Sequence, residues 1–210
     1  ENKAKEYSVD KWVETTDWII DMQPLIQPRI ISLNYGHFAL INNVVEDAVQ
    51  KSIAQGQMWK PEITALCQKY VVPGSVVIDT AAHIGELTVW LSRLVGPHGD
   101  VYAFESDRHL HQQLCCNIFL NNLMNVTTYQ NGITELDSFE WSNVSLMTIH
   151  SSLEFDGAEK TIGSSRPIVL FNKSSYITTK TKLESLKYNI YGISGQGDCI
   201  AIPQEKDDNV

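Results

Sequence analysis

Residues 75 to 94, SVVIDTAAHIGELTVWLSRL, hold the pattern that decides the fold. Ser75 to Asp79 is a short apolar run ended by an acid, the form of a strand buried on both faces. From Ile84 the apolar residues adopt helical spacing, through Leu87, Leu91 and Leu94, which predicts a helix over 84–94. Between them lies a bend of small residues, Thr80-Ala81-Ala82-His83. After the turn Gly96-Pro97-His98-Gly99, a second strand runs from Val101 to Glu105 and a second helix over 107–122. Strand, helix and strand in this order imply a right-handed crossover and parallel pairing.

Working outward, 126–130, 144–150 and 167–171 read as three more strands, followed by a helix near 180–188 and strands at 189–193 and 198–202. The fold class is therefore α/β: a Rossmann-like, mostly parallel central sheet with helices on both faces. Upstream, SVDKWVETTDWIID predicts a helix over 8–21 with Ser8 as its cap, ended by Pro24 and Pro28. Two short strands, 30–33 and 38–41, flank the Asn34-Tyr35-Gly36 turn, and 45–54 and 61–70 look helical. The domain reading is a helical extension and cap over 1–70, the sheet domain over 71–204, and a disordered tail over 205–210. A first residue of Glu1 rather than Met suggests attachment to upstream domains of a longer polypeptide, viral or bacterial.

Composition narrows the function classes. The chain has 210 residues, 43% hydrophobic and 20% charged, which is ordinary for a globular domain. A formal net charge of −9 without a basic run argues against nucleic acid as the partner. No stretch approaches the roughly 18 apolar residues needed to span a membrane. The cysteines Cys67, Cys115, Cys116 and Cys199 form no Cys-x-x-Cys pair. They read as free thiols of a cytoplasmic, intracellular protein.

In an open α/β sheet a ligand lies beyond the carboxyl ends of the strands, at the switch in strand order. That rule selects Asp79 with its bend, Glu105, and His150. Small residues at 81 and 82, with Gly85, let main chain approach a ligand, and the helix start offers free N–H groups to an anion. A tight turn that binds nothing is the alternative. The Gly-x-Gly-x-x-Gly fingerprint of dinucleotide folds is absent. Glu105, 26 positions after Asp79, can accept from both ribose hydroxyls of an adenosine. As an isolated acid it would instead be surface charge.

With those residues in view, 56–133 resembles the FkbM family of S-adenosylmethionine-dependent O-methyltransferases. The matching stretches are GQMW (56–59), VPGSVVID (72–79), AHIGELT (82–88), LVGPHGDVYAFESD (94–107) and LCCNIFLNNLMNV (114–126), with a looser match at RPIVLF (166–171) and CIAIP (199–203). The resemblance implies a class I methyltransferase fold, S-adenosylmethionine as cofactor, and a hydroxyl acceptor, often on a sugar. The cofactor residues it implies are Asp79, Ala81, His83, Gly85, Thr88, Glu105 and Ser106. Asn131 and Gly132 would frame the adenine, and Glu62 beside Trp59 would face the methionine ammonium. Ala81 and His83 stand where the family has Gly and Asn. If position 81 needed a positive φ, alanine would cost about 1–2 kcal/mol.

Near the fourth strand the family carries Asp-Val-Glu-Gly. Here the strand leads into His150-Ser151-Ser152-Leu153, and the glycine alignment would instead use Glu154-Phe155-Asp156-Gly157. His150 is the first candidate for a catalytic base and Asp156 the second. No metal is expected, because a histidine in the place of Asp makes an oxygen-ligand site less natural. The leading expectation is methyl transfer to a glycan hydroxyl, with a rhamnose-like deoxysugar as one acceptor. A polyketide-type small-molecule methyltransferase and a non-catalytic cofactor- or partner-binding domain are the alternatives.

Overall fold

In the computed structural model the described residues are 28–41, 47–131, 135–172, 176–193 and 197–208. The helix expected over 8–21 lies outside them. A hairpin comes first: β1 (Arg29–Leu33) pairs antiparallel with β2 (Gly36–Leu40). Two helices follow, α1 (Ala48–Ala54) and α2 (Pro61–Tyr70). The sheet domain then alternates β3 (Val76–Asp79), α3 (Glu86–Val95), β4 (Asp100–Phe104), α4 (Arg108–Leu120), β5 (Val126–Tyr129) and β6 (Val144–Ile149). It continues through α5 (Ser152–Asp156), α6 (Glu159–Ser165), β7 (Ile168–Asn172), α7 (Tyr176–Ser185), β8 (Tyr188–Gly192) and β9 (Asp198–Pro203).

The seven-stranded sheet has the order β5-β4-β3-β6-β7-β9-β8. Strands β3 to β7 pair in parallel, and β9 runs antiparallel between β7 and β8. The reversed strand separates this sheet from the all-parallel dinucleotide fold. Strand order switches at β3, whose neighbours are β4 and β6. The site is therefore expected at the carboxyl ends of these three strands.

Side-chain alternation explains the burial. Ile78, Met147, Val169, Phe171 and Ala201 point into one core with Phe155, Ile162 and Leu183 from α5, α6 and α7. Their neighbours Val77, Leu146, Ile168, Leu170, Ile200 and Ile202 point into the other, with Cys67 and Leu91 from α2 and α3. Both faces of β6 are thus apolar, which its sequence VSLMTI requires. Among the described residues no helix is long and apolar enough to cross a membrane.

Residues before the sheet domain pack directly on it. Phe38 and Leu40 of β2 and Ile53 of α1 share a buried cluster with Ile84, Val89, Leu114 and Ile118. The free edge of β2 is satisfied by polar side chains one helical turn apart along α4 and its C-cap, Asn121. Asn121 Oδ1 accepts from His37 N–H (2.8 Å), Asn117 Oδ1 from Ala39 N–H (2.7 Å), and Gln113 Nε2 donates to Ala39 O (2.7 Å). These bonds keep the edge from pairing with another chain.

At the other terminus residues 205–207 are held, where composition predicts a disordered tail. Glu205 pairs with Arg166 at 2.7 Å, and the buried Asp207 accepts from Asn189 (2.8 Å) and from the Tyr191 hydroxyl.

Candidate functional site

Asp79 ends β3 at 2% exposure. Thr88 donates to its Oδ2 at 2.8 Å and Thr148 to its Oδ1 at 3.3 Å. Burial holds the Asp79 carboxyl above the usual range, against the pull of the Thr88 bond and of His150. Asp79 and the fully buried Thr88 therefore pin α3 and β6 to the end of β3. These are positioning contacts beneath the bend.

The bend closes on main-chain bonds, Ala82 N–H to Phe104 O (2.9 Å) and Gly85 N–H to Ala82 O (2.8 Å). Its left-handed residues are His83 (φ 53) and Gly85 (φ 86). Ala81 has no positive φ, so the strain expected there does not arise. It sits at His83, a residue type enriched in that conformation, as is the family's Asn. Gly85 has a packing reason as well: a Cβ there would meet Leu114 Cδ1 at 2.6 Å. The positive φ and the close Leu114 side chain together favour glycine there.

Glu105 follows β4 at 8% exposure. Its Oε2 accepts the His83 N–H at 2.9 Å and its Oε1 the Asp107 N–H at 2.8 Å. A carboxylate has about four lone-pair positions, so each oxygen retains one. The His83 ring lies against Asp47, with Nε2 3.1 Å from its Oδ2, and its Nδ1 is sealed without a partner. Ser106 and Asn131 are exposed; Gly132 lies outside the described residues.

Beyond β6, His150 is exposed. Its N–H donates to Glu154 Oε2 at 2.8 Å, and its Nδ1 lies 3.3 Å from Asn172 Nδ2 at the end of β7. Thr80 also donates to Glu154 Oε2, at 2.7 Å. Glu154 thereby ties the bend after β3 to the end of β6. Ser151 caps α5 by accepting Glu154 N–H at 3.2 Å. The Ser-x-x-Glu capping pattern was the available signal for this short helix. Asp156 is turned away, in an ion pair with Lys182, which also lies 3.6 Å from Glu159. The structure does not bring Asp156 to His150's pocket.

That pocket, about 130 Å³, is lined by Trp59, Lys60, Glu86, Thr148, His150 and Phe171, among others. Sites for whole drug-sized ligands measure roughly 300–1,000 Å³, so it takes in one end of a ligand. Lys60, held at φ 49, pairs with Asp198 at 2.6 Å and ties the start of α2 to β9. Glu62 lies elsewhere, in a groove with Tyr70 and Ile200. Two carboxylates line the pocket, Asp198, which is paired with Lys60, and Glu86, which the sequence reading passed over. Burial raises its pKa, against the Tyr35 hydrogen bond. The signal that could find it is an acid opening α3 directly after Gly85. Among the described residues no three His, Cys, Asp or Glu side chains converge as a metal site.

The described fold is that of class I methyltransferases. It is similar to a SAM-dependent O-methyltransferase from Thermotoga maritima, at TM-score 0.58 and 17% identity over 86% of this chain and 80% of that one. It is also similar to M. jannaschii TYW2 in complex with AdoMet, at TM-score 0.52 and 19% identity over 86% and 85%. An rRNA methylase from Streptococcus thermophilus matches at TM-score 0.51 and 12% identity, over 67% and 92%. No family model matches the chain, and no curated protein does.

Proposed function

We propose that this chain is an S-adenosylmethionine-dependent O-methyltransferase acting on a sugar hydroxyl of a glycan. The observation that carries the reading is Glu105. It is a nearly buried carboxylate closing the strand next to the switch point, anchored by two main-chain donors and with acceptor capacity left for a ribose diol. M. jannaschii TYW2, of similar fold, has been crystallised in complex with AdoMet. The resemblance of residues 56–133 to the FkbM family supports the O-methyl chemistry and the sugar acceptor. A net charge of −9 disfavours a polyanionic acceptor.

On this reading Glu105 holds the ribose, and Asn131 with Gly132 borders the adenine. The cofactor supplies an electrophilic methyl group on a sulfonium. The chain's own task is to place the acceptor oxygen in line and to take its proton, and such positioning supplies several kcal/mol. His150 takes that proton. As placed, Asn172 Nδ2 donates to Nδ1 and leaves the ring hydrogen on Nε2, so the base role at Nε2 requires the Asn172 amide turned over, its oxygen accepting from Nδ1.

A second reading, a domain that keeps the fold and transfers nothing, is favoured by one observation. Both oxygens of Glu105 already serve the main chain. Incubating the protein with S-adenosylmethionine and a panel of oligosaccharides, followed by mass spectrometry, separates the two. Transfer replaces a sugar hydroxyl hydrogen with methyl, a net mass gain of CH2; no gain with any acceptor, despite donor binding, favours the second.

A further inference from the structure

Glu86 is the least compensated charge in the pocket. It is 4% exposed, and both its protein hydrogen bonds fall on one oxygen: Oε1 accepts from the Tyr35 hydroxyl at 2.6 Å and from Trp59 N–H at 3.2 Å. Among the described residues no donor reaches Oε2, yet Oε2 is not one of the sealed, unpartnered atoms. Glu86 lines the pocket, and Oε2 is the oxygen it has left to offer a ligand there. The cation lining the same pocket, Lys60, is already paired with Asp198. A buried carboxylate with an idle oxygen costs free energy unless a donor or a cation meets it. An ammonium, which is both donor and cation, meets both needs.

We infer that Glu86 is a specificity residue that binds, through Oε2, the α-ammonium of an amino-acid group seated in this pocket. This rests on the methyltransferase reading, in which that group is the methionine end of the donor. It transfers to Glu86 the role that the sequence gives to Glu62, whose side chain borders a different groove. Tyr35 is then a positioning residue. From the hairpin turn it occupies Oε1 and leaves Oε2 to the ligand.

The test is a calorimetric titration of wild type and Glu86→Gln with two ligands that share the adenosine. S-adenosylhomocysteine carries the amino-acid end, and 5′-methylthioadenosine lacks it. Glutamine keeps an oxygen for Tyr35 and Trp59 and turns an amide N–H₂ toward the pocket, where an ammonium is repelled. The substitution should weaken S-adenosylhomocysteine about 10- to 100-fold, the range for a hydrogen bond to a charged group. It should leave 5′-methylthioadenosine unchanged. Unchanged S-adenosylhomocysteine affinity, or an equal loss of both ligands, overturns the assignment. Wild type that binds neither ligand overturns the methyltransferase reading itself, and with it this inference. Should Glu86→Gln fail to fold, wild type titrated with the desamino analogue of S-adenosylhomocysteine decides: a similar loss supports the contact, and equal affinity overturns it.

Discussion

Glu105 and His83 are joined across the end of the sheet, the carboxylate after β4 accepting, at 2.9 Å, the main-chain N–H of the left-handed residue in the β3–α3 bend. The side chain proposed to read the ribose is thus the one that fixes the bend beside it.

Replacing Glu105 by alanine therefore has two expected effects. Affinity for S-adenosylmethionine falls at least about tenfold, and the bend loses an acceptor, costing about 1–3 kcal/mol of stability. Calorimetry and urea denaturation measure these separately. Undiminished affinity would remove the ribose assignment.

Gly85→Ala should destabilise the fold by about 2–4 kcal/mol, from a residue at positive φ and from overpacking against Leu114. Denaturant midpoints check this. Gly85→Ala combined with Leu114→Ala should recover the packing part and leave the backbone part. If Gly85→Ala is neutral, the glycine is not a packing requirement.

His150→Ala should leave donor binding intact and slow transfer about 100-fold or more, the usual contribution of a positioned base. Single-turnover methylation is the readout. A wild-type rate would exclude His150 as the base.

The Arg166–Glu205 pair carries a pH signature. Arg166 draws the Glu205 carboxyl down to about 2 from an ordinary value of 4.5. A lowered folded-state pKa gives stability that is present above the ordinary value and lost as pH falls toward the folded one. Glu205→Gln should thus be less stable than wild type at neutral pH, by under about 1 kcal/mol because Glu205 is half exposed, and the gap should close as pH falls toward about 2. Asp79 and Glu86, raised by burial, work in the opposite sense in both proteins, so the difference between the two isolates the pair. A gap that persists at low pH would refute the assignment.

Parallel strands β3, β4, β6 and β7 were legible as short runs rich in apolar residues, β5 (VTTY) being the polar exception, and α2 matches the helix expected over 61–70. Helices α5 and α6 were not: each is short, with little periodicity to read, and only the Ser151–Glu154 cap marks the first. Residues 205–207 looked disordered because Arg166, Asn189 and Tyr191, which hold them, are distant in sequence. The site divides the same way. Asp79, Glu105 and His150 follow from strand ends, which local sequence marks, and His83 from the bend after the first of them. Glu62 and Glu86 both sit in the first turn of a helix, and only packing decides which of them meets the pocket.

The central claim is tested most directly by titrating the wild-type protein with S-adenosylmethionine and, separately, with NAD. Saturable binding of S-adenosylmethionine with none of NAD is the predicted result. No binding of S-adenosylmethionine, or a preference for NAD, would contradict it.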